Sequence, residues 1–113
     1  MSVANSKQPG VQRHQELCLI LELSNAMLEA SLAGDWDALI EHEAKRRPCM
    51  EAYFQTGVTG HEVMDVVEAV RRIIEIDQQI VALSTVRQDF IAAELRNFNL
   101  VKTAVDAYSQ NAG

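Results

Sequence analysis

The chain has 113 residues, of which 16 are acidic and 10 basic, and its formal net charge is −6. This length suits a single domain, residues 1–113, with a modest core and no large buried pocket. The net negative charge argues against direct binding to nucleic acid, because affinity for nucleic acid depends on neutralising its phosphates. No apolar run is long enough to span a membrane and no signal-peptide pattern is visible, so we expect a cytosolic protein.

The first residues and the first helix differ in their patterns. Residues 1–10 are polar and end in Pro9-Gly10, which predicts a disordered tail. From about 11 to 33, apolar residues recur at spacings of three and four, which predicts an amphipathic helix. One stripe of that helix holds Leu17, Ile20, Leu21, Ser24, Met27, Leu28 and Ser31.

A structural corner, Gly34-Asp35-Trp36-Asp37, separates the first helix from the second. Gly34 suits the residue after a helix, where the backbone takes a left-handed conformation. Asp35 suits the N-cap of the next helix, and Asp37 places negative charge at the positive end of its dipole. Trp36, the single tryptophan, is expected to pack at the corner. So short a link predicts an antiparallel helical hairpin.

The second predicted helix, about 36–55, contains a proline. Pro48 removes one backbone hydrogen bond, so we expect a kink near 44–48 rather than an end. Glu43 and Arg47 are four residues apart and could pair across one turn.

A third helix is predicted from about 60 to 96. The helical pattern is interrupted at Thr56-Gly57-Val58-Thr59-Gly60, and Thr59 with Glu62 matches a capping box. The apolar pattern weakens at 97–99, and a short helical segment follows at about 100–108. The predicted fold is therefore all-α, a hairpin packed on a long third helix.

The predicted helix lengths are unequal. At about 1.5 Å per residue the first helix spans about 35 Å and the third about 55 Å. We therefore expect the third helix to leave the cover of the hairpin near Ser84, with apolar residues still to come. The 100–108 segment could cover them, two copies could pair as a homodimer, or a partner helix could bind there. Asp77, Arg87 and Glu94 interrupt the apolar stripe, so they need either water or charges from another element.

Catalytic and metal-binding motifs are not found. No acidic residue stands three positions before any of the three histidines, which excludes the Glu-x-x-His pairs of di-iron bundles. Cys18 and Cys49 lack the neighbours of a metal or redox motif and are expected as buried reduced thiols. We predict no enzyme activity, no cofactor and no metal.

Two stretches carry a family resemblance. One is Leu-Ser-Asn-Ala-Met-Leu-Glu-Ala at 23–30, followed by the structural corner and then Leu39 and Glu43. The other lies in the third helix and beyond: Arg87, Asp89, Lys102 and Ala107-Tyr108. By these residues, the chain resembles the FliT type of flagellar type III export chaperone over about residues 16–109.

The resemblance implies a cytosolic helical bundle that keeps the flagellar filament-cap protein soluble and brings it to the export ATPase complex. It also implies, for some members, restraint of the flagellar master transcriptional activator. The expected partner-binding residues are Ile80, Leu83, Val86, Arg87, Phe90, Ile91, Glu94, Leu95, Phe98 and Tyr108. The alternative is a self-associating helical adaptor, and a regulator that contacts DNA directly is disfavoured by the charge.

Overall fold

A computed structural model describes the backbone of residues 9–112. Within that range there are three α-helices and no strand: α1, Pro9–Ala33; α2, Trp36–Gln55; and α3, Val63–Ala112. The all-α prediction is confirmed. Residues 1–8 of the predicted tail lie outside the described range, whereas Pro9 and Gly10 belong to α1. Proline suits a first helical position because the N–H that it lacks would have no partner within the helix there.

The corner between α1 and α2 forms as predicted. Gly34 has φ +76°, and its N–H donates to the Ser31 carbonyl at 3.2 Å, while the Asp35 N–H donates to the Ala30 carbonyl at 2.8 Å. These two bonds define a Schellman motif, which satisfies the last carbonyls of α1. The Asp35 carboxylate then accepts from the Ala38 N–H at 3.1 Å, so this residue caps α2. Trp36 is half-buried.

Helix α2 continues through Pro48 without ending. The predicted Glu43–Arg47 pair is present on its exposed side, where the guanidinium donates twice to the carboxylate. The angle of a bend at Pro48 stays a prediction.

Helix α3 is longer than predicted, because the expected interruption at 97–99 does not occur. The α-helix begins at Val63, after a turn in which the Glu62 N–H donates to the Thr59 carbonyl at 2.9 Å, and it runs to Ala112. Asparagine is a poor helix former but costs well under 1 kcal/mol, and neither glycine nor proline occurs between 61 and 112 to break the helix. Residues 100–108 therefore continue the helix and do not turn back over it.

The described residues form two compact units, the first ending at Val81 and the second beginning at Ala82. In the first unit, side chains from all three helices share two core clusters. One cluster contains Leu17, Ile20, Tyr53, Val66, Ala69 and Ile73, and the other contains Met27, Ile76 and Ile80. The first unit is thus a helical hairpin packed against the start of α3.

The second unit is the remainder of α3. None of its side chains up to Gln110 is buried, and only Leu83, Ser84 and Ala93 are half-buried. A single helix cannot enclose its own apolar residues, so this unit exposes whatever apolar face its sequence carries.

Candidate protein-binding surface

The second unit carries one continuous apolar face, which we call the C-terminal face. It consists of Leu83, Val86, Phe90, Ile91, Leu95, Phe98, Val101, Val105 and Tyr108. At about 3.6 residues per turn, these positions share one side of α3. Phe90 is 62% exposed, Leu95 57% and Phe98 65%, so the large side chains stand in solvent. An apolar face of this extent typically marks a site of protein contact.

The opposite side of the same helix segment is mostly polar, with Leu100 at its edge. It carries Thr85, Gln88, Asp89, Arg96, Asn99, Thr103 and Asp106. This division is what an amphipathic helix needs in order to offer one face to a partner and the other to water.

Three charged residues lie within the C-terminal face: Arg87, Glu94 and Lys102. Arg87 and Glu94 are exposed and seven residues apart, which places them two turns apart on the same side as Ile91. A shallow hollow forms beside them, lined by Ile91, Glu94, Leu95 and Phe98. A partner that covers this face would desolvate Glu94, which is costly unless the partner supplies a positive charge.

The structure brings nine of the ten predicted partner-binding residues into the second unit and leaves one in the first. Ile80 is 9% exposed and belongs to the core cluster with Met27 and Ile76, so it is not part of the exposed surface. Tyr108 is 76% exposed, at the far end of the C-terminal face.

A second, largely exposed apolar stripe lies on α3 in the first unit, outside the predicted partner-binding residues, and its Val70 is half-buried against the core. This N-terminal face consists of Val63, Val67, Val70, Ile74 and Val81. Ile74 is 51% exposed, and an open hollow of about 390 Å³ lies beside Val67 and Val70. The sequence pattern of α3 does indicate this stripe, because its apolar residues cover more of the helix circumference than one contact with a hairpin can bury.

The polar contacts of the first unit hold its helices together. Arg13 of α1 donates to the Tyr53 carbonyl at 3.0 Å, to the Gly57 carbonyl at 2.9 Å and to the Glu62 carboxylate at 3.1 Å. Its guanidinium also lies 3.7 Å from the centre of the Tyr53 ring. The hydrogen bond from Arg13 lowers the pKa of Glu62, while burial raises the pKa of the Tyr53 phenol. Arg13 therefore ties α1 to both ends of the loop between α2 and α3.

Asp77, the first charge in the apolar stripe of α3, is paired from α2. Arg46 is 8% exposed and donates to the Asp77 carboxylate at 2.9 and 3.3 Å and to the Ser24 hydroxyl at 3.0 Å. Of the two alternatives predicted for Asp77, water or a charge from another element, the structure shows the charge from another element. The arrangement satisfies a buried guanidinium that would otherwise be costly.

Other kinds of site find little support in the part of the chain that the structure describes. No group of three or more His, Cys, Asp or Glu side chains in residues 9–112 could hold a metal ion. Cys18 and Cys49 are free thiols, half-buried rather than fully buried as expected. No helix in this range has both the length and the apolar character to cross a membrane.

Comparison with known proteins gives one match. No curated protein and no solved structure matches the chain. The family described as Flagellar protein FliT matches residues 14–111, which include nearly all of the three helices and both units. Membership of this family implies a flagellar export chaperone, and the chain belongs to the FliT family.

Proposed function

We propose that this protein is a cytosolic chaperone that binds the C-terminal helical segment of the flagellar filament-cap protein on its C-terminal face. It then delivers that client to the export ATPase complex. The observation that carries the proposal is the exposed apolar face of Leu83–Tyr108, on a helix whose other side is polar. Family membership supports the flagellar setting.

The mechanism is the docking of an amphipathic client helix along this face. The spacing of Leu83, Val86 and Phe90, at positions i, i+3 and i+7, offers apolar anchors on successive turns, as helix-in-groove recognition requires. Burial of this surface contributes about 25 cal/mol per Å² before the costs of association. A client that is exported unfolded leaves its apolar residues exposed. By covering the client's helix, the chaperone also keeps the client from aggregating.

Glu94 provides selectivity within the same face. A client helix has to present a basic group near Glu94, or leave that carboxylate desolvated without a partner. Restraint of the master transcriptional activator would use protein contact of the same kind, because the net charge of −6 disfavours contact with DNA.

The proposal is tested by removing apolar anchors from one face at a time. In the first variant, Leu83→Gln, Phe90→Gln and Ile91→Gln are combined. In the matched control, Val67→Gln, Ile74→Gln and Val81→Gln remove the same number of apolar side chains from the N-terminal face. Calorimetric titration with the C-terminal segment of the cap protein gives the affinities, and circular dichroism verifies the helix content.

We expect the first variant to lose about 100-fold or more in affinity, since a few central anchors carry most of the energy of such interfaces. The control should bind as the unmodified chain does. Undiminished binding by the first variant would contradict the proposed site, and loss confined to the control would move the client to the N-terminal face. Absence of binding by the unmodified chain would contradict the client assignment itself.

A further inference from the structure

A small hollow lies between α1 and α3 in the first unit. Its volume is about 230 Å³, and it shares no residue with the C-terminal face or the N-terminal face. Leu17, Leu21 and Ala69 line it with apolar side chains, of which Leu17 and Ala69 are buried. Asp65 and Glu68 line it too, but both are exposed, so they form its rim. The hollow thus combines an apolar floor with an acidic rim.

The two carboxylates at the rim lack a partner of opposite charge. Neither Asp65 nor Glu68 forms a hydrogen bond or an ion pair with any residue in the part of the chain that the structure describes. They are three positions apart on α3, which places them side by side on one face of the helix. Like charges at this spacing repel each other, and a cation between them would relieve the repulsion.

The nearest arginine of α1 is fully engaged elsewhere. Arg13 lies beside Asp65 in an adjoining hollow. All five of its N–H groups are already donated, to the carbonyls of Tyr53 and Gly57, the Thr56 hydroxyl and the Glu62 carboxylate. No donor of this guanidinium remains for Asp65.

The arginine of α3 that lines the hollow is also turned away. Arg72 stands four residues after Glu68, a spacing at which such pairs often form. Its guanidinium instead lies 3.6 Å from the Glu75 carboxylate, on the exposed surface. The α1 wall brings no further cation, because neither lysine nor arginine occurs between Arg13 and Lys45.

We propose that this hollow receives a lysine side chain from a partner protein, with the ammonium group between Asp65 and Glu68. The aliphatic stem of the lysine then covers Leu17, Leu21 and Ala69, as long charged side chains do when they cross an apolar surface. The hollow is smaller than the roughly 300–1,000 Å³ of typical small-molecule sites, which suits a single side chain.

The geometry of the rim favours lysine over arginine. An ammonium group is a compact charge with three donors, so it can contact two separate carboxylates at once. A planar guanidinium instead prefers both oxygens of a single carboxylate. The partner segment that carries the lysine is therefore basic, in keeping with the acidic rim.

This inference goes beyond the proposed function and does not depend on it. Because the hollow and the C-terminal face share no side chain, the chain has separate surfaces for a basic partner and for a client. Occupation of the hollow can be tested in the purified chain, without a client.

The experiment is a titration followed by the backbone amide NMR signals of the full chain. The probe is an alanine-based helical peptide with three lysines, which has no large apolar side chain to anchor on the C-terminal face. Matched peptides carry glutamine or arginine in place of lysine. The titrations are made at about 150 mM salt, where attraction between distant surface charges is largely screened.

Four variants locate the contact. Asp65→Asn with Glu68→Gln removes the two rim charges, and Glu41→Gln with Glu51→Gln removes two exposed charges of α2 as the matched control. Cys18→Phe fills the hollow from its α1 side but leaves the rim charges. Arg72→Gln removes the positive charge that competes with the lysine. Circular dichroism verifies that each variant keeps its helix content.

We expect the lysine peptide to shift the amide signals of 14–21 and 65–72 first. Neutralising the rim should weaken binding at least about 10-fold, as should Cys18→Phe and the glutamine peptide, because each removes the charge pairing or the space for the stem. The control should bind as the unmodified chain does, and Arg72→Gln should bind a few times more tightly.

Several results would overturn the proposal. They are an unmodified chain that does not bind the lysine peptide, signal shifts confined to other segments, an equal loss in the α2 control, and weaker binding by Arg72→Gln. Tighter binding of the arginine peptide would overturn the choice of lysine. Since none of these measurements uses the cap-protein segment, failure here and failure of client binding are distinguishable.

Discussion

The two halves of α3 carry similar apolar patterns and use them differently. Up to Val81, every third or fourth residue is buried against α1 and α2, and Ile76 is wholly enclosed. From Ala82 onward, the same kind of residue is exposed: Val86 is 67% exposed and Val101 62%. Apolar periodicity thus shows that a face will be covered, but it does not show whether the cover comes from the same chain.

The charges within the stripe follow the same division. Asp77, in the first unit, pairs with Arg46 of the hairpin. Glu94, in the second unit, lies on an exposed face where the proposed client would supply the opposite charge. A charge inside an apolar stripe therefore joins helices in the first unit and, under the proposed function, helps to select the client in the second.

The largest expected difference between the halves is in stability. Ile76→Ala removes a fully buried side chain and should lower the free energy of unfolding by about 2–5 kcal/mol. Phe90→Ala removes an exposed side chain and should change it by no more than about 0.5 kcal/mol. Urea denaturation monitored by circular dichroism, at a low protein concentration that disfavours association, gives both values. A cost at Phe90 as large as that at Ile76 would refute the contrast.

A smaller difference in stability is expected between substitutions of two neighbouring arginines on α2. Arg46→Met keeps most of the aliphatic stem but removes the donors to Asp77 and Ser24. This substitution should lower the free energy of unfolding by about 1–2 kcal/mol. The loss is smaller than for a fully buried ion pair because the Asp77 side chain is 42% exposed. Arg47→Met is the matched control, because its exposed pair with Glu43 should contribute little. Equal effects in urea denaturation would show that Arg46 does not hold α3 to the hairpin.

The smallest expected effect depends on pH and belongs to the first unit. The hydrogen bond from Arg13 lowers the pKa of Glu62 from its ordinary value of 4.5. Because the folded pKa lies below the unfolded one, this contact stabilises the fold above about pH 4.5 and is lost as the pH falls through the lowered value. Glu62→Gln should therefore reduce the melting temperature at neutral pH and have a diminishing effect below pH 4.5. An effect on the melting temperature that does not diminish as the pH falls through the acid range below 4.5 would contradict this assignment.

Local rules were enough to predict some parts of the fold and not others. The corner at Gly34 and Asp35 follows from backbone chemistry confined to a few neighbouring residues, and it formed as expected. The break predicted at 97–99 does not occur, because weak helix propensity over three residues does not by itself end a helix. The contacts of Arg13 and Arg46 could not be predicted, because they join residues more than 20 positions apart through side chains that look like ordinary surface charges.

The sequence by itself determined that the protein is helical, where its first turn lies and which family it resembles, since periodicity, capping and composition are written in neighbouring residues. Only the tertiary structure decided which apolar residues of α3 form the core and which remain exposed. Ile80 was expected on the binding surface but is buried, whereas Ile74 is left in solvent. That choice depends on how far the hairpin reaches along α3 and on which side it packs, and both depend on the whole set of long-range contacts.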